Sequence, residues 1–538
     1  MPRSRRGAGP CRLCRRTNRS RGRLGDLGAR VRHASRVFGV SIVSPALSAP
    51  TDYDVCILGA GIAGITAALA LARLRPDYRI ALVESGAQTA NAYYQSLCEG
   101  EIRTPALDEN EAPARSRIRA LGGTSAYWGG YLSPLSAEAL EARPWEPASG
   151  WPITRAELDP FYDQAAGYFQ VEPFAAVEQS LQNSGHVARF RQDSLTQKVW
   201  QIRAINFGSV YKDSLQRSPQ IDLYLQTTCI GFELDGNGSI RGARCVSDGT
   251  EYRFRARDFA IAMGGLENAR FLLNACADEP GLLPRSRHNV GRYFSIHPTL
   301  PWGRAILTDA LAESALYAQG LRLPEFPSPL FAFLNVPRAV RAQHRWLNAF
   351  FDLSEPARPE DSPGPGHEIV GRLVSERHSL VRNVAIMSEM SARFENHVGL
   401  AQARDPLGLR RLYIDLRLTV QELNAVREQL IYLGQQLGAH GFGRVWVNED
   451  LIQGTMRGES RFWGGHHHMC TTRMSASPDD GVVNSDCRFH EHENLYALGS
   501  SVFRGSATVN PTFTIGALAI RLAHHLGRTQ ASATKGAA

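Results

Sequence analysis

The stretch DVCILGAGIAGITAALAL, residues 54–71, decides the fold of this chain. Its apolar start predicts a short buried strand that leads into the turn Gly59-Ala60-Gly61-Ile62-Ala63-Gly64. An Ala/Leu-rich helix follows to about Leu74, and a second apolar run, 79–83, ends at Glu84. Strand, glycine turn, helix and strand together form a βαβ unit.

This βαβ unit carries the residues that a dinucleotide needs. Gly59, Gly61 and Gly64 permit the tight turn, let the backbone approach a pyrophosphate and let helix pack on strand, while the helix N-terminus offers N–H donors. Glu84 lies twenty residues after Gly64, where a carboxylate accepts hydrogen bonds from a ribose 2′-OH and repels a 2′-phosphate. The unit predicts a dinucleotide site but leaves FAD and NAD open.

Further glycine turns and apolar runs extend the pattern. Residues 121–130, LGGTSAYWGG, suit a backbone that lies against a flat, bulky ligand, and residues 259–273 again read as strand, glycine turn and helix. Alternating strands and crossover helices indicate an open parallel sheet.

The sequence pattern is different from about residue 298 to 461. Pro-rich loops at 324–329 and 356–365 separate strand-like segments at 399–402 and 411–416, and residues 420–437 have helical periodicity. We interpret this part as an inserted α+β domain on an antiparallel sheet.

Composition places the chain among large soluble enzymes, with 538 residues, 43% apolar and 21% charged. The net charge of +8 comes from residues 1–50, where twelve Arg and one Asp give +11 and leave −3 for the rest. We therefore expect no nucleic-acid partner. Residues 1–50 are predicted to be a disordered basic tail, and three interpretations stay open: a targeting segment, a polyanion-binding tail, or an extension without function, which we favour together with a cytoplasmic location.

Cysteine and hydropathy patterns exclude other classes. Nine scattered cysteines, an odd number, imply no disulfide framework, and the Cys11/Cys14 pair lacks a second ligand pair for zinc. The sequence contains no run of 18 or more apolar residues, so we expect no transmembrane helix.

The C-terminal region holds the candidate catalytic residues. Residues 466–474 read HHHMCTTRM, and residues 509–516 read VNPTFTIG. Pro511 fixes Asn510 in an extended conformation and suits a helix that begins at about Thr512, whose dipole can face an anion. We predict no metal site, because Met and Thr fill the places next to the histidines where further ligands would be needed.

Taken together, these segments resemble the glucose-methanol-choline (GMC) family of flavin oxidoreductases, nearest its sugar-oxidising, pyranose-oxidase-like branch. The resemblance also covers residues 264–270 (GGLENAR) and 289–294 (NVGRYF), which precede His297. It implies an α/β fold in which a Rossmann-like FAD domain, residues 51–297 and 461–530, carries an inserted substrate domain, residues 298–460.

The resemblance also implies roles for single residues. His467 matches the family's catalytic base and Asn510 its partner. The cofactor-binding set it implies comprises Gly59, Gly61, Gly64, Glu84, Gly122, Gly123, Thr124, Ser125, Cys229, Gly499, Ser500, Pro511 and Thr512. Cys470 stands where the family normally has Gly, so it could narrow the pocket or simply replace a small residue. Tyr127 occupies the place of the histidine that links FAD covalently in some sugar-oxidising relatives, so we predict non-covalent FAD.

The function that follows is FAD-dependent oxidation of a CH–OH group, with a sugar, glycoside, polyol or cyclitol as the first substrate class. A neutral His467 would accept the hydroxyl proton as the C–H hydride leaves for the flavin. Two alternatives stay open: oxidation of a non-sugar alcohol, and a non-redox lyase that keeps FAD as a structural element. Oxygen, a quinone and a redox protein all stay open as the electron acceptor.

Overall fold

The computed structural model describes residues 52–188, 190–191, 194–356, 380–447 and 462–533. The predicted basic tail, the Cys11/Cys14 pair and most of the Pro-rich stretch at 356–365 lie outside these residues. Within them, the seven cysteines are buried and free. No helix among them is long and apolar enough to cross a membrane.

The described residues contain both strands and helices. The strands are β1 (Asp52–Leu58), β2 (Ile80–Val83), β3 (Gly100–Ile102), β4 (Tyr131–Leu132), β5 (Thr196–Ile202), β6 (Ile221–Tyr224), β7 (Thr228–Leu234), β8 (Ile240–Ser247), β9 (Thr250–Ile261), β10 (Thr299–Leu307), β11 (Leu330–Asn335), β12 (Ala349–Asp352), β13 (Val381–Ser388), β14 (His397–Arg404), β15 (Arg410–Asp415), β16 (Gly443–Val447) and β17 (Leu495–Ala497). The helices are α1 (Ile62–Leu74), α2 (Ala92–Ser96), α3 (Ala137–Leu140), α4 (Arg155–Phe169), α5 (Phe174–Ser184), α6 (Phe207–Val210), α7 (Lys212–Arg217), α8 (Gly264–Asp278), α9 (Asp309–Ala312), α10 (Arg338–His344), α11 (Val420–Ala439) and α12 (Thr512–Ala533).

The predicted βαβ unit lies at the centre of a parallel sheet. The parallel strands run in the order β6-β2-β1-β9-β17, and the hairpin β7–β8 pairs with the first half of β9. Residues 55–58 are at most 1% exposed, as expected for a strand covered on both faces. Tyr78 and Arg75, just after α1, donate hydrogen bonds to carbonyls near the end of α12. The two ends of the chain therefore build one layer.

A second sheet of seven strands is antiparallel throughout, in the order β16-β10-β13-β12-β11-β5-β4. Its core is aromatic, with Trp200, Phe333 and Phe350 in mutual contact. The predicted fold class, an α/β fold with a substrate domain on an antiparallel sheet, is confirmed. Two of its strands, β4 and β5, come from before residue 298, so the sheet recruits residues from both sides of the predicted boundary. The boundaries themselves stay a prediction.

The strand-like segments predicted at 399–402 and 411–416 form β14 and β15, but they do not join that sheet. They pair with each other and, through β15, with β3 in a separate three-stranded sheet. Helix α11 (Val420–Ala439) covers the residues, 420–437, that have helical periodicity in the sequence. Thr419 and Glu422 form a capping box at its start, and Val426, Leu430 and Leu433 are buried.

Candidate active site

A cleft of about 920 Å³ opens at the carboxyl ends of the parallel strands. Carboxyl ends of parallel strands meet at one edge of a sheet, so residues that follow different strands come together there. Gly59 after β1, Glu84 after β2, Gly264 after β9 and Gly499 after β17 all line the cleft. The antiparallel sheet contributes Tyr131 and Met387 to the same cleft. The cleft therefore lies between the two large sheets.

The glycines at the start of α1 have different surroundings. Gly59 has a φ of +112° and lines the cleft. A Cβ on Gly64 would lie 1.9 Å from the carbonyl oxygen of Gly59, so this glycine lets the helix pack on the turn rather than facing the cleft. A Cβ on Gly61 would meet nothing within 4 Å. Gly61 is the N-cap of α1 and makes no side-chain cap, so the first N–H groups of the helix are available to an anion.

Glu84 lines the cleft and is only 7% exposed. Its two carboxylate oxygens accept hydrogen bonds from the N–H groups of Ala60, at 2.9 Å, and Gly86, at 2.7 Å. Burial raises the pKa of Glu84, and these two N–H donors oppose the shift. Each oxygen keeps a second lone pair, so the carboxylate can also accept the ribose hydroxyl that the sequence predicts.

The second glycine cluster forms a tight turn against the first. Gly123, Thr124 and Ser125 line the cleft, whereas Gly122 does not. A Cβ on Gly122 would lie 2.3 Å from the Gly208 nitrogen, so this glycine is needed for packing. The Ser125 hydroxyl donates to the Gly122 carbonyl and accepts the Phe207 N–H. It therefore holds the turn in shape.

Three further predicted cofactor residues come from distant parts of the chain. Cys229, at the start of β7, lines the cleft, as do Gly499 and Ser500 after β17. The Ser500 hydroxyl donates to the His468 carbonyl at 2.6 Å, which joins the β17 turn to the histidine segment. The structure brings all thirteen predicted cofactor residues to this region, with Gly64 and Gly122 behind the lining. Their roles toward the cofactor stay predictions.

A buried ionic cluster at the cleft was missed by the sequence reasoning. Arg117 and Arg119 line the cleft and contact Glu267 at 2.7 and 2.9 Å, and Arg270 contacts the same carboxylate at 2.8 Å. Burial alone would raise the pKa of Glu267, but the three guanidinium charges lower it. The signal in the sequence was the Arg-x-Arg of residues 117–119, which lies one residue before Leu-Gly-Gly at 121–123.

His467 and Asn510 meet at the wall of the cleft. Asn510 Nδ2 lies 3.1 Å from His467 Nε2, and both residues line the cleft. Burial lowers the pKa of His467 well below its usual value, and the neighbouring imidazoles of His297, His466 and His468 lower it further. His467 is therefore neutral at neutral pH and can accept a proton, as a general base must.

The side chains of His466 and His468 contact different aromatic residues. His466 packs edge-on against Tyr127 and Trp463, while His468 stacks on Phe294. Among the described residues, no group of three or more His, Cys, Asp or Glu side chains is arranged to hold a metal ion.

Glu111 anchors the backbone of this segment and was also missed. One of its oxygens accepts the N–H groups of Gly464 and His466, at 3.0 and 3.1 Å, and the other lies 3.5 Å from His468 Nε2. No local pattern points to this role, because Glu111 lies some 350 residues from the histidines it holds.

The helix predicted after Pro511 begins at Thr512, as expected. Pro511 and Thr512 line the cleft next to Asn510. The positive end of the α12 dipole therefore faces the cleft beside the candidate catalytic pair, where it favours negative charge.

The two departures from the family pattern lie near the site. Cys470 is fully buried and does not line the cleft, so the expectation that it could narrow the pocket is not met. Its φ of +72° explains why glycine suits this position. Burial raises the pKa of its thiol to about 12, which makes it unreactive. Tyr127 lines the cleft, and its hydroxyl donates to the Arg115 carbonyl.

Comparisons with known proteins agree with this arrangement. The family model for GMC oxidoreductases matches residues 392–519, and the FAD-binding-domain model matches residues 54–281. The chain is 23% identical to 6'''-hydroxyparomomycin C oxidase from Streptomyces lividus over 89% of its own length and 93% of that protein. It is also 45% identical over 65 residues to 2-methyl-1,2-propanediol dehydrogenase from Mycolicibacterium austroafricanum, 12% of each chain.

Solved structures share the fold. Pyridoxine 4-oxidase from Mesorbium loti superposes with a TM-score of 0.55 at 15% identity, over 88% of this chain and 99% of that one. A fungal aryl-alcohol oxidase superposes with a TM-score of 0.56 at 14% identity, over 89% and 99%.

The cleft fits FAD on its own geometry. Bare backbone at Gly61 and Gly264, where a Cβ would meet nothing within 4 Å, lets a large ligand approach closely. The uncapped N-terminus of α1 offers donors for a diphosphate, and Glu84 offers an acceptor for a ribose. The protein is an FAD-dependent oxidoreductase that acts on alcohol groups, and its residues 392–519 match the GMC oxidoreductase family.

Proposed function

We propose that the protein oxidises a hydroxyl group of a sugar, glycoside, polyol or cyclitol, with His467 as the general base and Asn510 as its partner. The observation that carries this proposal is the 3.1 Å contact between His467 Nε2 and Asn510 Nδ2 in the cleft wall. A substrate hydroxyl that replaces this direct contact donates its proton to His467 Nε2 and accepts the N–H of Asn510. FAD, when bound, supplies the acceptor for the hydride of the carbinol carbon.

The chain's own residues account for the charge that develops. The substrate O–H bond breaks, and its proton goes to the lone pair of His467 Nε2. The N-terminus of α12 beside Asn510 stabilises negative charge that builds up next to it. Because His467 is buried and neutral, it needs no prior deprotonation at neutral pH.

Two observations support the sugar-like substrate class. Trp128, Tyr131 and Trp463 line the cleft and offer flat apolar faces, and the residues that the antiparallel sheet contributes, Tyr131 and Met387, are uncharged. An uncharged, hydroxylated ring suits such walls. The relative that spans most of this chain is named as an oxidase of 6'''-hydroxyparomomycin C, and that name specifies a hydroxylated substrate.

Anaerobic flavin reduction tests the proposal. The holoenzyme is mixed with monosaccharides, glycosides, cyclitols, polyols, aryl alcohols and a cyanohydrin, and flavin absorbance is followed. We expect bleaching by a sugar-like alcohol, slowed roughly 10²–10⁴-fold in His467→Gln, the range for loss of a general base. Bleaching by aryl alcohols alone contradicts the substrate class. Cleavage of the cyanohydrin with no alcohol oxidised contradicts the redox function. Repeating the successful mixture with oxygen, a quinone or a redox protein identifies the electron acceptor.

A further inference from the structure

A third histidine lies directly behind the candidate base. His297 Nδ1 is 2.9 Å from His467 Nδ1, and His297 Nε2 is 2.8 Å from the carbonyl oxygen of Ser506. His297 is fully buried and does not line the cleft. Both ring nitrogens of His297 therefore contact protein groups.

Backbone pairing brings the two histidines together. Ser295 and Thr299, which flank His297, form antiparallel bridges with Met469 and Trp463, which flank His467. The two segments run side by side in opposite directions, so the side chains between the bridges meet. This placement does not depend on the imidazole contact itself.

The Ser506 carbonyl determines which nitrogen of His297 carries a proton. A carbonyl oxygen only accepts hydrogen bonds, so His297 Nε2 is the N–H donor of that pair. Burial lowers the pKa of His297 to about 4, against the opposing effects of Ser506 and Glu389, so the ring is neutral at neutral pH. A neutral imidazole has one N–H, and Nδ1 of His297 is therefore an acceptor.

The position of the proton on His467 follows from that on His297. Because His297 Nδ1 accepts, His467 Nδ1 must donate in the 2.9 Å contact. His467 is neutral as well, so its Nε2 has a lone pair. That nitrogen is the one that faces Asn510 Nδ2 across 3.1 Å. The chain of donors therefore runs from Asn510 through His467 and His297 to the Ser506 carbonyl.

We propose that His297 is a positioning residue that fixes His467 in the tautomer with its proton on Nδ1, so that the Nε2 lone pair faces the substrate hydroxyl. The inference rests on the proposed role of His467 as the base. In the opposite tautomer the proton would occupy Nε2, and the nitrogen beside the substrate could not accept another.

Other charged or titratable groups near the pair do not replace His297. His466 and His468 lie on the same segment as His467, and Glu111 contacts that segment through the Gly464 and His466 N–H groups. The structure gives His467 Nδ1 a hydrogen bond to His297, and none to Glu111. Removing the His297 imidazole therefore removes the acceptor.

Three variants separate positioning from structure. His297→Gln keeps an acceptor, the amide oxygen, and a donor, the amide nitrogen. It can therefore replace the hydrogen bonds to His467 and to the Ser506 carbonyl. His297→Leu removes both. His492→Leu is the matched control, because His492 is also buried, donates Nε2–H to the Leu282 carbonyl at 2.6 Å, and has no contact with His467.

The readouts are the limiting rate of anaerobic flavin reduction, the substrate concentration at half-saturation, and ¹⁵N NMR of histidine-labelled holoenzyme, which distinguishes Nδ1–H from Nε2–H in a neutral ring. We expect His297→Leu to slow flavin reduction roughly 10- to 100-fold, as for loss of one buried hydrogen-bond partner. Half-saturation should change little. The Nδ1–H signal of His467 should be lost in this variant and retained in His297→Gln, which should recover most of the rate. His492→Leu should reduce thermal stability without changing the rate.

Different failures have different meanings. If His467→Gln is inactive while His297→Leu keeps the wild-type rate and tautomer, the role of His297 is overturned and that of His467 stands. If His467→Gln reduces flavin at the wild-type rate, the proposed base is wrong, and the NMR signals of His297→Leu still decide the tautomer. If His297→Leu does not fold, a wild-type His467 with its proton on Nε2 overturns the inference.

Discussion

Gly61 and Gly64 lie three residues apart in one turn, yet the structure predicts opposite consequences for the same substitution. A Cβ on Gly64 would lie 1.9 Å from the Gly59 carbonyl oxygen, and contacts below 3.0 Å require a backbone shift. A Cβ on Gly61 would meet nothing within 4 Å in the protein and would occupy space at the cleft. Gly64→Ala should therefore disturb the fold, and Gly61→Ala the cofactor site.

The magnitudes follow from the contacts. Overpacking costs about 1–3 kcal/mol, and a clash with backbone belongs at the upper end. Alanine gains about 1 kcal/mol over glycine inside a helix, so Gly64→Ala should destabilise the apoprotein by about 2 kcal/mol. Gly61→Ala changes only an N-cap residue, which should cost less than about 1 kcal/mol in the apoprotein. The same methyl group against FAD should weaken binding roughly 5- to 150-fold.

Two assays on each variant separate the effects. Urea unfolding of the apoprotein gives the free energy of unfolding, and fluorescence titration with FAD gives the dissociation constant. A Gly61→Ala protein that binds FAD normally but unfolds as easily as Gly64→Ala would refute the assignment of the two glycines.

Further predictions concern single side chains. Glu267→Gln should reduce the free energy of unfolding at pH 7 by about 3–5 kcal/mol, because it leaves buried arginines such as Arg119 without their carboxylate. Folding lowers the pKa of Glu267, so the carboxylate stabilises the fold fully above its unfolded pKa of about 4.3. The difference in the free energy of unfolding between wild type and variant should therefore narrow as the pH falls below that value. Urea unfolding at several pH values measures this difference. Because the pKa of His467 is lowered, flavin reduction should stay constant as the pH falls through about 6.5, and a midpoint at or above that value in anaerobic stopped-flow traces would contradict the assignment. Acid precipitation should give a colourless pellet, since Tyr127 offers no imidazole for a covalent link; a yellow pellet that retains flavin would contradict this. Cys470→Ala should reduce flavin at the wild-type rate, and a large loss of rate would mean that the thiol has a chemical role.

Local patterns were predicted well because neighbours in sequence determine them. The turn at Gly59 and the helix that begins at Thr512 depend on backbone freedom and on a proline, both of which are visible in the sequence. The partners of strands are different, because pairing is decided by residues hundreds of positions away. Segment 411–416 was correctly predicted as a strand, yet its neighbours are β14 and β3 rather than strands of the seven-stranded antiparallel sheet.

The candidate site divides in the same way. His467 and Asn510 could be predicted because they occupy distinctive short motifs. The roles of Glu111, Arg119 and His297 were missed because each acts through long-range contacts, with the histidine segment, with Glu267 and with His467. A single buried carboxylate or imidazole has no periodic signature, so only the fold reveals its partner.

The late position of β17 in the chain has a consequence for synthesis. Strand β9 is complete by Ile261, but its neighbour on one side, β17, begins only at Leu495. While the chain is being made, the last three residues of β9, 259–261, therefore lack their partner on that side, and exposed edges invite pairing with other chains. The residues Gly499 and Thr512, which complete the cleft, emerge later still. A nascent chain can thus gain a complete FAD cleft only after almost all of it has been translated, and a truncated chain lacks both the covering strand and the finished cleft.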